Sequence, residues 1–231
     1  MDLEIDLNAV ASRLSSPKPA DRMVGLVQLR QVPSEIAVPL ILKVVEDEHQ
    51  QVRSFAVFAL GLKPTDASLS KLLEIVSTDP DYGVRADAAG ALGYLGDVRA
   101  FESLVRAFYE DVEWLVQFSA IVALGNLKDG RAYDLLMYAL QMQDSLMHQA
   151  AIAALGEIAD PRCVDRILQF AQSEDWLVRQ RLAMALATLP SPKTRSALEY
   201  LAKDPNDSVA AAALSSLREV QEQLDLNSPE A

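Results

Sequence analysis

Six residues at nearly even spacing carry most of the polar chemistry this chain can offer: Arg22, Arg53, Arg85, Gln117, His148 and Arg179. Each stands one place after a position that recurs every 31 or 32 residues, namely Asp21, Val52, Val84, Val116, Met147 and Val178, with Val209 as a seventh. A guanidinium is a planar fork of donors that matches a carboxylate. Such a row has two uses, and the sequence leaves both open. It can tie neighbouring turns together through Asp47, Asp79, Asp111, Asp144, Asp175 and Asp204, or it can offer donors to the acids of a ligand or partner. Gln117 and His148 interrupt the row in mid-chain, which marks His148 as a candidate contact. Cys163 follows Asp160-Pro161 near the start of a helix, where a thiol can become nucleophilic. With no histidine beside it in sequence, it reads first as a small core residue. His49, His148 and Cys163 lack metal-ligand spacing, and neither a phosphate-binding glycine loop nor a nucleophile elbow is present. No metal site and no intrinsic cofactor are expected, and no catalytic residue can be named.

The elements that position these residues form a repeat. Counting the recurring position as zero, position 8 is leucine in all seven units: Leu29, Leu60, Leu92, Leu124, Leu155, Leu186 and Leu217. Position 7 is alanine in five, and position 9 is Gly61, Gly93, Gly125 and Gly156 in the middle units. Positions 0, 4, 7 and 8 share one helical face. Turns such as Gly96-Asp97, Asp129-Gly130 and Asp160-Pro161 end that helix and cap a second one richer in large apolar residues, such as Leu69, Leu72, Leu73 and Val76. This predicts an all-α chain, an α-solenoid of about seven two-helix repeats over 19–218. Residues 1–18 read as a lead-in helix carrying Leu3, Leu7, Val10 and Leu14, and residues 219–231 as a cap and tail that frays from 224.

If the first helices line a concave side, positions 2, 6 and 9 oppose the core, with position 5 at the edge. That face would carry Phe58, Phe118, Val122, Gln149 and Met184, an apolar stripe of the kind that marks a ligand or partner site, unless the face is turned and these residues are core. Trp114 and Trp176, two places before their anchors, suit either packing between units or the rim of an interface. With His148 and Arg179 these make up the candidate binding set.

Composition narrows the partners. The chain has 231 residues, half of them hydrophobic, and a formal net charge of −12, which repels nucleic-acid phosphates and anionic lipid. No apolar run is long enough to span a membrane. One cysteine and an acidic N-terminus without a leader pattern fit a soluble, cytoplasmic protein.

The string from Val84 to Ala100, VRADAAGALGYLGDVRA, closely resembles the HEAT-like repeat of the phycobilisome lyase family, and Val52-Arg53 to Leu60-Gly61, Val178-Arg179 to Leu186 and Leu155-Gly156 to Asp160-Pro161 match parts of it. The resemblance covers roughly residues 19 to 218. It implies phycobiliprotein subunits as partners and an open-chain bilin, phycocyanobilin, as a ligand. It implies three roles that the residues do not separate: a factor that helps to dismantle the cyanobacterial antenna under nutrient starvation, a lyase subunit that attaches bilin together with a partner chain, or a non-enzymatic scaffold.

Overall fold

The computed structural model describes residues 5–226, and among them all regular structure is helical. The fold is an α-solenoid. A short α1 (Leu7–Leu14) leads in. Seven first helices follow: α2 (Pro19–Gln28), α4 (Gln50–Gly61), α6 (Tyr82–Leu95), α8 (Trp114–Asn126), α10 (Ser145–Ile158), α12 (Trp176–Ala185) and α14 (Asp207–Leu226). Six second helices alternate with them: α3 (Ser34–Ile41), α5 (Asp66–Thr78), α7 (Phe101–Glu110), α9 (Tyr133–Ala139), α11 (Val164–Ile167) and α13 (Pro192–Leu201). The seventh repeat is therefore a first helix alone among the described residues. Residues 5 and 6 precede α1, with Asp6 as its N-cap, and α14 continues helically through 224–226, where fraying was expected. Leu3 and residues 227–231 lie outside the described residues.

The chain divides into two compact units, Met1–Ala123 and Leu124–Ala231. In the first, α2, α4 and α6 pack side by side, and α5 lies against α4, α6 and α7. In the second, α10, α12 and α14 form the corresponding row, with α9 on α10 and α13 on α14. Position-8 leucines fill the seam between rows: Leu29, Leu60, Leu92, Leu124, Leu155 and Leu186 are at most 1% exposed. Burying each contributes about 1.5–3 kcal/mol. Leu217, in α14, is only partly covered, since no second helix follows α14 among the described residues.

Position 9 sets how closely first helices approach. A Cβ built on Gly61 would lie 2.9 Å from the Cα of Ala91, and one on Gly156 would lie 2.8 Å from the Cα of Ala185. Position 9 is thus covered by position 7 of the following repeat, and position 5 is buried as well: Val57, Ala89, Ile121, Ile152 and Ala183 are all 0% exposed. The helical pattern puts position 9 on the open face and position 5 at its edge, and the structure covers both. Each first helix has buried neighbours over more than half its circumference, so the open stripe is narrower than an amphipathic pattern suggests and rotated by about 60°. It consists of positions 3, 6 and 10.

Candidate functional site

The arginine row is a structural ladder. Arg53 donates from Nε and Nη2 to the two oxygens of Asp79 at 2.9 and 3.0 Å, Arg85 to Asp111 at 2.7 and 3.0 Å, and Arg179 to Asp204 at 2.6 and 2.9 Å. Arg22 donates from Nη2 to Asp47 at 2.8 Å. Each arginine also turns back to a carbonyl six residues earlier: Ser16, Asp47, Asp79 and Ser173. Gln117 and His148 keep only the backward bond, to the carbonyls of Asp111 (2.9 Å) and Met142 (2.6 Å). The reason is visible in the acids. Asp47, Asp79, Asp111 and Asp204 lie five residues before the next anchor, whereas in the repeats of Met147 and Val178 that place holds Met142 and Ser173. There the acid moves two residues on, and Asp144 and Asp175 cap α10 and α12 directly. With no carboxylate ahead to reach, a shorter side chain suffices.

His148 and Arg179 are thus engaged within the fold. The His148 ring bonds to Met142 and packs on Phe170 with ring centroids 4.8 Å apart. Arg179 is fully engaged by Asp204 and Ser173. Gln149 is half-buried and donates to Asp175 at 3.0 Å. Cys163 is fully buried, and that burial, with Asp160 nearby, pushes its thiol up to about 11, so it is no nucleophile at neutral pH. No group of described residues could hold a metal ion, and no described helix is long and apolar enough to cross a membrane.

Three of the ladder carboxyls, Asp47, Asp111 and Asp204, titrate low. The Arg179 bond holds Asp204 below the ordinary carboxylate range against its desolvation. Burial alone would raise Asp111, but Arg85 and the backbone amides of Glu113 and Val112 outweigh it and the net displacement is downward; Asp47 behaves likewise with Arg22. A carboxyl depressed in the folded state stabilises it above the unfolded value of about 4, and that contribution disappears as pH falls through the folded values. Urea midpoints are expected to be level from pH 7 to about 5 and to drop steeply below about 4. Equal midpoints at pH 5 and 3 would contradict the coupling.

What remains open is the stripe of positions 3, 6 and 10. In the first unit it is largely apolar: Val24 and Val27 on α2, Phe55 and Phe58 on α4 with Leu62 capping its end, Tyr94 on α6 and Val122 on α8 are each at least 38% exposed. Asp87 and Gly90 interrupt it on α6. In the second unit the same positions hold Asn126, Ala150, Ala153, Glu157, Arg181, Thr188, Ala212, Ser215 and Glu219, with Ala150 buried and Met184 as the one large apolar residue. Phe58 and Val122 therefore share one face, while Met184 belongs to the other unit. Phe118, at position 2, is half-buried at the margin. Trp114 and Trp176 open α8 and α12 and are 51% and 39% exposed. Val24, Val27, Phe55, Leu62, Asp87 and Tyr94 escaped the sequence reading. Spacing of three and four residues from Phe58 would have found Phe55 and Leu62.

A chain so built belongs to the HEAT repeats, whose pattern matches residues 7–93, 37–125, 69–149 and 134–218. No curated protein matches it. Among solved structures it is similar to a chain from the complex of CpcE and CpcF of phycocyanin lyase from Nostoc sp. PCC7120, with a TM-score of 0.66, 19% identity and coverage of 96% of this chain and 95% of that one. It is comparably similar to the E. coli protein YibA, with a TM-score of 0.65, 16% identity and coverage of 98% and 89%. An engineered protein follows at TM-score 0.57, 19% identity and coverage of 93% and 68%.

Proposed function

We propose that the chain binds a phycobiliprotein subunit on the open first-helix stripe and assists in detaching its bilin or dismantling the antenna, in the manner of the non-bleaching B type of phycobilisome-degradation factor. The observation that carries this reading is the apolar stripe of the first unit, which a protein with net charge −12 has no structural need to expose. The phycobilisome assignment is supported by the lyase-type string at Val84 to Ala100 and by the likeness of the fold to a phycocyanin lyase chain. Phycocyanobilin is the ligand this reading implies. Mixing the purified protein with phycocyanin and following co-elution and bilin absorbance tests it. Co-elution that weakens in Phe58→Ser is expected; neither complex nor spectral change would reject the assignment.

A second reading is a subunit of an E/F-type lyase that attaches phycocyanobilin to an apo-phycobiliprotein. It is favoured by the near-complete coverage in both directions of the phycocyanin lyase chain. Bilin transfer would then appear on co-expression with a partner chain and not with this chain alone.

A further inference from the structure

The stripe of the first unit joins two features. One is a cavity of about 140 Å³ between α2 and α4, walled mainly by Val27, Phe55, Phe58 and Leu62, with Arg30 and Lys63 also in its lining. It is smaller than the roughly 300 Å³ at which small-molecule pockets begin, and its walls are mostly apolar, so it suits one or two aliphatic side chains. The other feature is Asp87, at position 3 of the adjacent α6. Asp87 is exposed as a residue, yet surrounding protein desolvates its carboxyl and holds it above the ordinary range; Asp81 adds to the rise. The ladder acids Asp47, Asp79, Asp111 and Asp204 each have an arginine, while no described cation pairs with Asp87. Between Asp87 and Tyr94 the surface is bare, because a Cβ added to Gly90 would meet nothing within 4 Å.

We propose that this stripe receives an amphipathic helix of a protein partner, with apolar side chains of the helix in the α2–α4 cavity, its backbone passing close over Gly90, and a lysine or arginine paired with Asp87. An apolar groove beside an unpartnered acid selects by charge as well as by burial. The dimensions agree. Packed neighbouring helices lie about 8–10 Å apart, so a cation about two helical turns from the apolar anchor reaches from α4 to Asp87. The inference is independent of whether the partner is a phycobiliprotein.

Two synthetic helix-forming peptides test it. Both carry leucines at i, i+3, i+4 and i+7; one has lysine and the other glutamate about two turns beyond. Binding to the full chain is measured by fluorescence anisotropy. The lysine peptide is expected to bind at least about tenfold more tightly, the effect of one close charge pair. Asp87→Asn should remove most of that preference. Asp134→Asn, an exposed acid on α9 with the same effect on net charge, should leave it intact. Phe58→Ser, with its helicity checked by circular dichroism, should weaken both peptides. Binding of neither peptide overturns the proposal, as does an equal effect of the two asparagine variants, since general attraction to an acidic protein would produce that.

Discussion

Arg85→Ala is expected to destabilise the first unit by about 3 kcal/mol, the cost of leaving a mostly buried charge without its partner. Asp111 retains 10% of its side-chain exposure and Arg85 16%, so the pair is largely withdrawn from water. Three bonds are lost together: two to Asp111 and one to the carbonyl of Asp79. The Asp111 carboxylate still accepts from the backbone amide of Glu113, which keeps the turn formed but does not neutralise the charge. Arg85→Lys should recover only part, because an ammonium cannot make the two-pronged bond and also reach back six residues. The double variant Arg85→Ala with Asp111→Ala should be more stable than the single one, since no buried charge is then stranded. Arg162 supplies the contrast. It also pairs closely with a carboxylate, Asp160, at 2.6 Å, but it is 66% exposed. Its removal should cost clearly less than that of Arg85, because an exposed pair is screened by water. Urea denaturation of the four variants measures all of this, and equal losses at Arg85 and Arg162 would show that burial of the ladder is not what makes it matter.

The ladder also shows what a single sequence carries. The period, the leucine at position 8 and the arginine at position 1 were legible because each repeat restates them. The two interruptions were legible too, but their cause lay five residues before the following anchor, in whether an aspartate stood there. Gln117 and His148 fit Met142 and Ser173, and need no ligand to account for them. The open face was misplaced for a different reason. Amphipathicity reports the direction of the core, but in a stack each first helix is also covered by its neighbours in the row. Position 9 carries glycine, which registers weakly as apolar, and position 5, although it holds Val57, Ile121 and Ile152, lies off the face of positions 0, 4, 7 and 8, so neither reads as core from the pattern alone. Phe58 and Val122 were found because position 6 lies within both the assumed and the actual stripe. Phe55, Leu62 and Asp87 were missed because positions 3 and 10 lie only in the actual one.

The glycines at position 9 allow that packing to be tested by sign as well as size. Alanine in place of glycine within a helix ordinarily stabilises by about 0.5–1 kcal/mol, because the unfolded chain loses freedom. Gly90→Ala on α6 should follow that rule, since nothing lies within 4 Å of the added methyl. Gly156→Ala should reverse it. Its methyl would stand 2.8 Å from both Cα and Cβ of Ala185, against the 3.5–4.0 Å at which carbon atoms rest. The atom struck belongs to the backbone of α12 and cannot rotate aside. The carbonyl of Gly156 is also held by the hydroxyl of Thr188 at 2.7 Å, which ties the end of α10 to the turn after α12 and resists separation of the two helices. Overpacking of this kind costs about 1–3 kcal/mol, more than the entropic gain returns, so the net effect is a loss. Opposite shifts of the thermal midpoint in Gly90→Ala and Gly156→Ala are the expected result. A gain in both would mean that the first helices can part without cost, and that the close approach of Gly156 to Ala185 does not hold the row together.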